Sequence, residues 1–222
     1  IKLFYELLVE CPEWFATGNP LDKKDIIAKD IRILPPVCDK EGRPLYIVKV
    51  GNMDANTMDL VKDVVMVDEL FIESLLASNP KIRNGLSVIL DISNFPWSII
   101  KWLTPNNIKT ALRRIHTMPI KEYKYHVVNN SLPIHVAVNI IWPFLPQYVK
   151  DSVSIFYIIF HFNDRNSLYK HIDPDVLPPE YGGTHVMDYK KYHDVMLDKY
   201  EQIEQSFKMN RGMYLQEITK FT

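Results

Sequence analysis

The residues able to do covalent or metal chemistry are scattered along this chain. Its 222 residues include 7 histidines and 2 cysteines, Cys11 and Cys38. The histidines show no ligand spacing, there is no HExxH, and the two cysteines form no metal or disulfide pattern. No G-x-S-x-G elbow, no glycine loop able to cradle a phosphate and no G-x-G-x-x-G after a strand is found. Asp91 closes an apolar run, a place where α/β enzymes carry acids, but the same position suits an anchor for the following turn. His126 and His135 flank the end of an extended segment, where histidine is usually structural. Cys38 lies in VCDKEGRP, which offers no base. An enzyme is therefore the weaker class, and no catalytic residue, metal or cofactor is expected.

Apolar surface is what the sequence does offer. Residues 132–145 (LPIHVAVNIIWPFL) hold only His135 and Asn139 as polar positions ahead of Pro143. A surface helix normally keeps a polar face. This one must be buried in a core, face a lipid-like ligand, or contact a membrane. FPWSIIKWLTP adds Trp97 and Trp102, residues suited to a membrane interface and equally to a core.

The elements that must hold these segments alternate in type. LYIVKVG (45–51), LSVILDI (86–92), YHVVN (125–129) and IFYIIFHF (155–162) read as strands. Near-continuous apolar runs of this kind suit a sheet covered on both faces. Helical periodicity marks 2–10, 55–78, 104–118 and 188–207, the third opened by an N-cap threonine and a first-turn proline. The last carries Tyr192, Met196, Tyr200, Ile203 and Phe207 along one stripe. The grammar is α/β: one domain with a mostly parallel sheet flanked by helices.

Net charge is -1, so no general attraction to nucleic acid is expected. No apolar run reaches the ~18 residues needed to span a bilayer. Two cysteines favour a reducing, cytoplasmic setting. Asn129-Asn130-Ser131 is a formal glycosylation sequon that reads as incidental without a secretory signal.

Several stretches together resemble the CRAL-TRIO lipid-binding family: DKEGRPLYIV (39–48), GLSVILDISNF (85–95), LTP (103–105), YHVVNNSLPIHVAVNIIWPFL (125–145) and LPPEYGGT (177–184). They occur in the family's order and spacing, from about residue 25 to 184, in the style of its tocopherol-transfer and retinaldehyde-binding members. The resemblance implies a lipid-binding domain over 21–187, the end of an N-terminal helical region in 1–20, and a C-terminal amphipathic helix and tail in 188–222 packed on the domain. It implies that 132–145 is a mobile gate helix over an apolar cavity, and that 177–183 closes the domain. There Glu180 is expected to be a buried acid tied to backbone, and Gly182 and Gly183 to permit close approach.

By the same resemblance, the cavity lining is expected from Leu86, Val88, Leu90, Phe95 and Leu103; from Leu112 and Ile115; from Met118, Ile120, Tyr123 and Tyr125; and from Ile134, Val138, Ile141 and Leu145 on the gate. Tyr123, Tyr125 and His126 are candidates for a polar anchor. Tocopherol-transfer-type members carry a basic cleft for phosphatidylinositol bisphosphate. Here Lys121 keeps one basic position, with Lys124 and Lys150 near others. Tyr123, Trp142, Tyr148 and Ser152 stand where further cations are expected, so membrane contact should be more hydrophobic and less dependent on phosphoinositide. The expected partners are a small hydrophobic ligand such as a retinoid, tocopherol or carotenoid and, transiently, a membrane surface, with the protein monomeric. A phospholipid-binding regulator and an interaction module with a filled cavity are the alternatives.

Overall fold

The structure, a computed structural model, describes residues 2–15, 19–132, 135–136, 139, 142, 147 and 157–209. Its described strands are β1 (Arg32–Ile33), β2 (Leu45–Lys49), β3 (Leu86–Asp91), β4 (Tyr123–Val128) and β5 (Tyr157–Phe162). They form one sheet in the order β1-β2-β3-β4-β5. The first pair is antiparallel and the rest are parallel, so the α/β expectation holds. The short β1 lies in IRILPP, just ahead of two prolines.

Register gives each face its residues, because side chains alternate along a strand. Val88 pairs with Tyr46 on one side and Tyr125 on the other, and Leu86 pairs with Tyr123. These share what we call the front face. Ile89 pairs with Ile47 and His126, on the back. The front core joins Tyr46, Val48, Leu86 and Val88 to Val67, Leu70, Phe71 and Leu75 of α3 (Met66–Ser78). The back core joins Ile33, Leu45, Ile47, Ile89 and Val128 to Leu168 of α5 (Arg165–Tyr169) and to Ile172, Leu177 and Tyr181. Cover on both faces explains why the strands read as unbroken apolar runs. The connecting helices are α1 (Lys2–Glu10), α2 (Lys24–Ile27), α4 (Pro105–Thr117), α5 (Arg165–Tyr169) and α6 (Tyr189–Leu197).

Two helices differ from expectation in extent. The segment expected as one helix over 55–78 starts with a turn in which Asp54 accepts from the Asn56 amide at 2.9 Å. Asp59 then caps Val61 and Lys62, at 2.9 and 2.8 Å, and a π-helical turn, Leu60–Val65, precedes α3. The C-terminal helix is interrupted. The Asp198 amide donates to both Asp194 and Met196 carbonyls, tightening the last turn of α6, and helix resumes at 200–209. Met196, Ile203 and Phe207 of its stripe still enter the front core, while Tyr192 and Tyr200 stay partly exposed. His193 faces β1, where its Nε2 lies 3.0 Å from the Arg32 carbonyl. At the other end, Leu7 and Leu8 of α1 pack with Trp14, Phe15 and Val65, and Glu10 pairs with Arg113 of α4.

Candidate functional site

Nine of the expected lining residues meet in one apolar cluster on the front face. Leu86, Val88, Phe95 and Ile120 are its buried members; Leu90, Leu103, Met118, Tyr123 and Tyr125 pack on it half-buried. Ile100, which the sequence did not single out, joins them, and so does Trp102, for which the sequence left core and membrane interface open. Leu112 and Ile115 are half-buried on α4, whose buried residues are Thr110 and Arg114. Ile134, Val138, Ile141 and Leu145 lie outside the described residues. So do Lys150, Tyr148, Ser152 and Pro143.

Burial on the front face falls from one edge to the other. Tyr46 on β2 is 4% exposed and is followed in register by buried Val88 and half-buried Tyr125 and Ile158, while Phe160, further along β5 and paired with Val127, is 60% exposed. The row across β3, β4 and β5 is aliphatic or aromatic: Leu86, Val88, Leu90, Tyr123, Tyr125, Val127, Ile158 and Phe160. Burial pushes the phenols of Tyr123 and Tyr125 well up from their usual range, so both stay neutral. Their rings stack at 6.2 Å.

The cations buried on this side are matched to carboxylates. Arg32 holds Asp68 through two guanidinium nitrogens, the Nη2 contact at 2.9 Å. Tyr46 donates to the same carboxylate at 2.6 Å. Burial alone would raise Asp68, but Arg32 outweighs it and holds the carboxyl below its usual range. Arg114 lies 2.8 Å from Glu69 and over the Phe15 ring. The arrangement offers an apolar ligand a neutral surface.

The closing segment works differently from its expected form. Glu180 is exposed and pairs with Lys49 at 2.7 Å, with Tyr189 also donating to it. It is not a buried acid tied to backbone. Tyr181 is the inward residue: its hydroxyl donates to Asp91 at 3.0 Å. Asp91 also accepts from the Ser93 amide at 2.9 Å and from Asn129 at 2.7 Å. Asp91 therefore anchors the turn after β3 and the end of β4, as the structural reading of that position anticipates. Gly182 has φ +81°, and Gly183 sits against the Leu177 and Pro174 carbonyls, 2.0 and 2.4 Å from where a Cβ would lie. The close approach expected of these glycines is present.

His126 is corrected as a polar anchor for a front-face ligand. It points to the back face, 2.9 Å from His161. Lys124 is also on the back, bound to Glu41 at 2.6 Å, while Lys121 is exposed. A cavity of about 410 Å³ opens beyond the carboxyl ends of β4 and β5, lined by polar groups including Asn129, Asn163, Asp164, Arg165 and Glu180. Its lining does not suit an apolar molecule. Among the described residues no cluster of three or more His, Cys, Asp or Glu could hold a metal. Among them, no helix is long and apolar enough to cross a membrane.

Comparison with known proteins agrees with this geometry. The family profile described as "CRAL/TRIO domain" matches residues 31–183. Clavesin-2 of Mus musculus is 31% identical over 147 residues, covering 65% of this chain and 43% of that protein. Clavesin-1 of Xenopus laevis is 32% identical over 147 residues, covering 66% and 42%. Clavesin-1 of Rattus norvegicus is 30% identical over 151 residues, covering 66% and 40%. The chain thus spans less than half the length of these curated relatives. With its sheet, its front cluster and this match over most of its length, the chain belongs to the CRAL/TRIO domain family.

Proposed function

We propose that this domain binds and transfers a small, neutral hydrophobic molecule, held between the front face of β3–β5 and the 132–145 segment. The observation that carries this reading is the front face itself. It is apolar across three strands, bears only neutral phenols among its polar groups, and is covered progressively less toward β5. The handedness of parallel crossovers supports it. By that rule a β4-to-β5 connection of the usual hand would cover the same face as α3, which follows β2 in the same sense.

A ligand that buries several hundred Å² there gains on the order of 10 kcal/mol at ~25 cal/mol per Å², before the entropic cost of binding. Uncovering the face in water is unfavourable and uncovering it against a bilayer is not, so exchange belongs at membranes. The matched pairs Arg32–Asp68 and Arg114–Glu69 favour a neutral ligand over a phospholipid, whose phosphate needs an uncommitted cation.

Native mass spectrometry of the purified chain, followed by organic extraction, tests the reading. A retained neutral isoprenoid or sterol-like molecule is expected. A phosphorus-containing extract would move the assignment to a phospholipid. A protein that is empty and takes up neither class would overturn it.

A further inference from the structure

Three histidines meet beneath the back of the sheet. His126 of β4 and His161 of β5 are buried and share one short contact, His126 Nδ1 to His161 Nε2, at 2.9 Å. Their rings stack 5.2 Å apart, with the half-buried His171 ring 5.2 Å from His126 and 5.8 Å from His161. The outer nitrogen of His161 meets Ser167 Oγ at 2.8 Å. His126 Nε2 is buried and has no hydrogen-bond partner.

An N···N contact of this length holds one proton. If both rings are charged, two N–H groups oppose each other in a dry site. The charges facing the cluster do not relieve this. Lys124 on β4 and Arg43 in the 39–44 turn face His126 and disfavour its charged form. Asp164, ahead of α5, favours a charge on His161 but caps the Ser167 amide. Lys124 and Lys170 oppose a charge on His171; Glu41 and Asp39, which favour it, are bound to Arg43 and Lys124. Burial first, and then the neighbouring rings, lowers His126 to about 3; burial and His171 lower His161 to about 4.

Position gives the cluster its consequence. The chain leaves the sheet after β4 and returns at β5, so the His126–His161 contact ties together the two strands that bound the 129–156 connection. We propose that this cluster is an acid-sensitive staple: neutral, it holds β4, β5 and the α5 layer together; protonated, it parts them at the base of that connection.

The sign follows from the direction of the shifts. These groups bind protons more readily when opened and solvated, near 6.5, than when closed. Opening therefore becomes easier as pH falls below about 6.5 and levels off near the closed-state values. From pH 7.5 to 5.0, each histidine solvated in the open state contributes roughly thirtyfold to the opening equilibrium. The consequence for ligand exchange rests on the carrier reading; the opening itself does not.

Amide hydrogen exchange of the full chain, corrected for intrinsic pH dependence, measures opening alone. The protection of β4, β5 and α5 amides is expected to fall at least thirtyfold between pH 7.5 and 5.0, while β2 and α3 hold theirs. The double variant His126→Asn, His161→Gln keeps polar atoms at the paired positions without titrating. Its β4 and β5 protection is expected to change less than threefold. If that variant does not fold, imidazole titration of the wild type by NMR decides. His126 and His161 should stay neutral to pH 5. Uniform loss of protection across the sheet, or titration of both rings near 6.5 with protection unchanged, overturns the proposal.

Discussion

A methyl group at Gly183 has no room. Its carbon would lie 2.0 Å from the Leu177 carbonyl oxygen, which accepts from His185, and 2.4 Å from the Pro174 oxygen, which accepts from Thr184. Backbone cannot yield as a flexible side chain can. Gly183→Ala should therefore destabilise by at least about 1–3 kcal/mol, the usual cost of overpacking. It should appear as a lower urea midpoint with unchanged slope; a midpoint within error of wild type would show that the segment shifts freely. Tyr181→Phe makes a separate test nearby. It removes one of the donors to Asp91 and leaves Ser93 and Asn129 in place, so a loss of roughly 1–3 kcal/mol is expected. At this scale the sequence was half legible. A glycine pair behind two prolines announces a tight approach, but EY does not say which of its two side chains turns inward. That depends on where Asp91 and Lys49 stand, on strands distant in sequence.

Among the elements, α4 was the most legible. Thr104 and Pro105 set its start: the threonine hydroxyl accepts from the Asn107 amide at 3.2 Å, and the proline needs no donor in the first turn. Thr104→Ala should cost about 1 kcal/mol, read as a lower melting temperature; no change would mean that packing alone fixes this end. The apolar runs of β2 and β3 likewise showed a doubly covered sheet. What stayed hidden was parity across strands. Leu86, Val88 and Leu90 share a face by alternation alone, but only their pairing with Tyr123, Tyr125 and Val127 sends His126 to the opposite side. Periodicity also missed the π-helical turn at Leu60–Val65, because a wider turn keeps an apolar stripe nearly in line. Phe162 could not be foreseen either: it takes φ 48°, a region costly for a bulky residue. There it stacks with Phe160, two residues back on the same strand, at 5.5 Å.

On the carrier reading proposed above, charge and apolar surface would divide the work of meeting a membrane. Formal net charge is -1, and Lys124, one of the cations expected near the gate, is bound to Glu41. Lys121 is exposed and contributes about 1 kcal/mol at an anionic surface, a factor of about five. Trp142 is 42% exposed, at a position where tocopherol-transfer-type members are expected to carry a cation. An indole settles at the interface of neutral and anionic bilayers alike. Binding to phosphatidylcholine vesicles should therefore rise no more than about fivefold when a few per cent of phosphatidylinositol bisphosphate is added, and should depend little on salt, because few counterions are exchanged. Trp142→Ala should weaken binding roughly tenfold, equivalent to about 1.4 kcal/mol, on both vesicle types. Lys121→Ala should matter only on the anionic ones. Flotation of the three proteins with the two vesicle compositions separates the contributions. If Lys121→Ala costs more than Trp142→Ala, or if binding climbs steeply with phosphoinositide, then membrane contact is electrostatic and the tryptophan belongs to the fold.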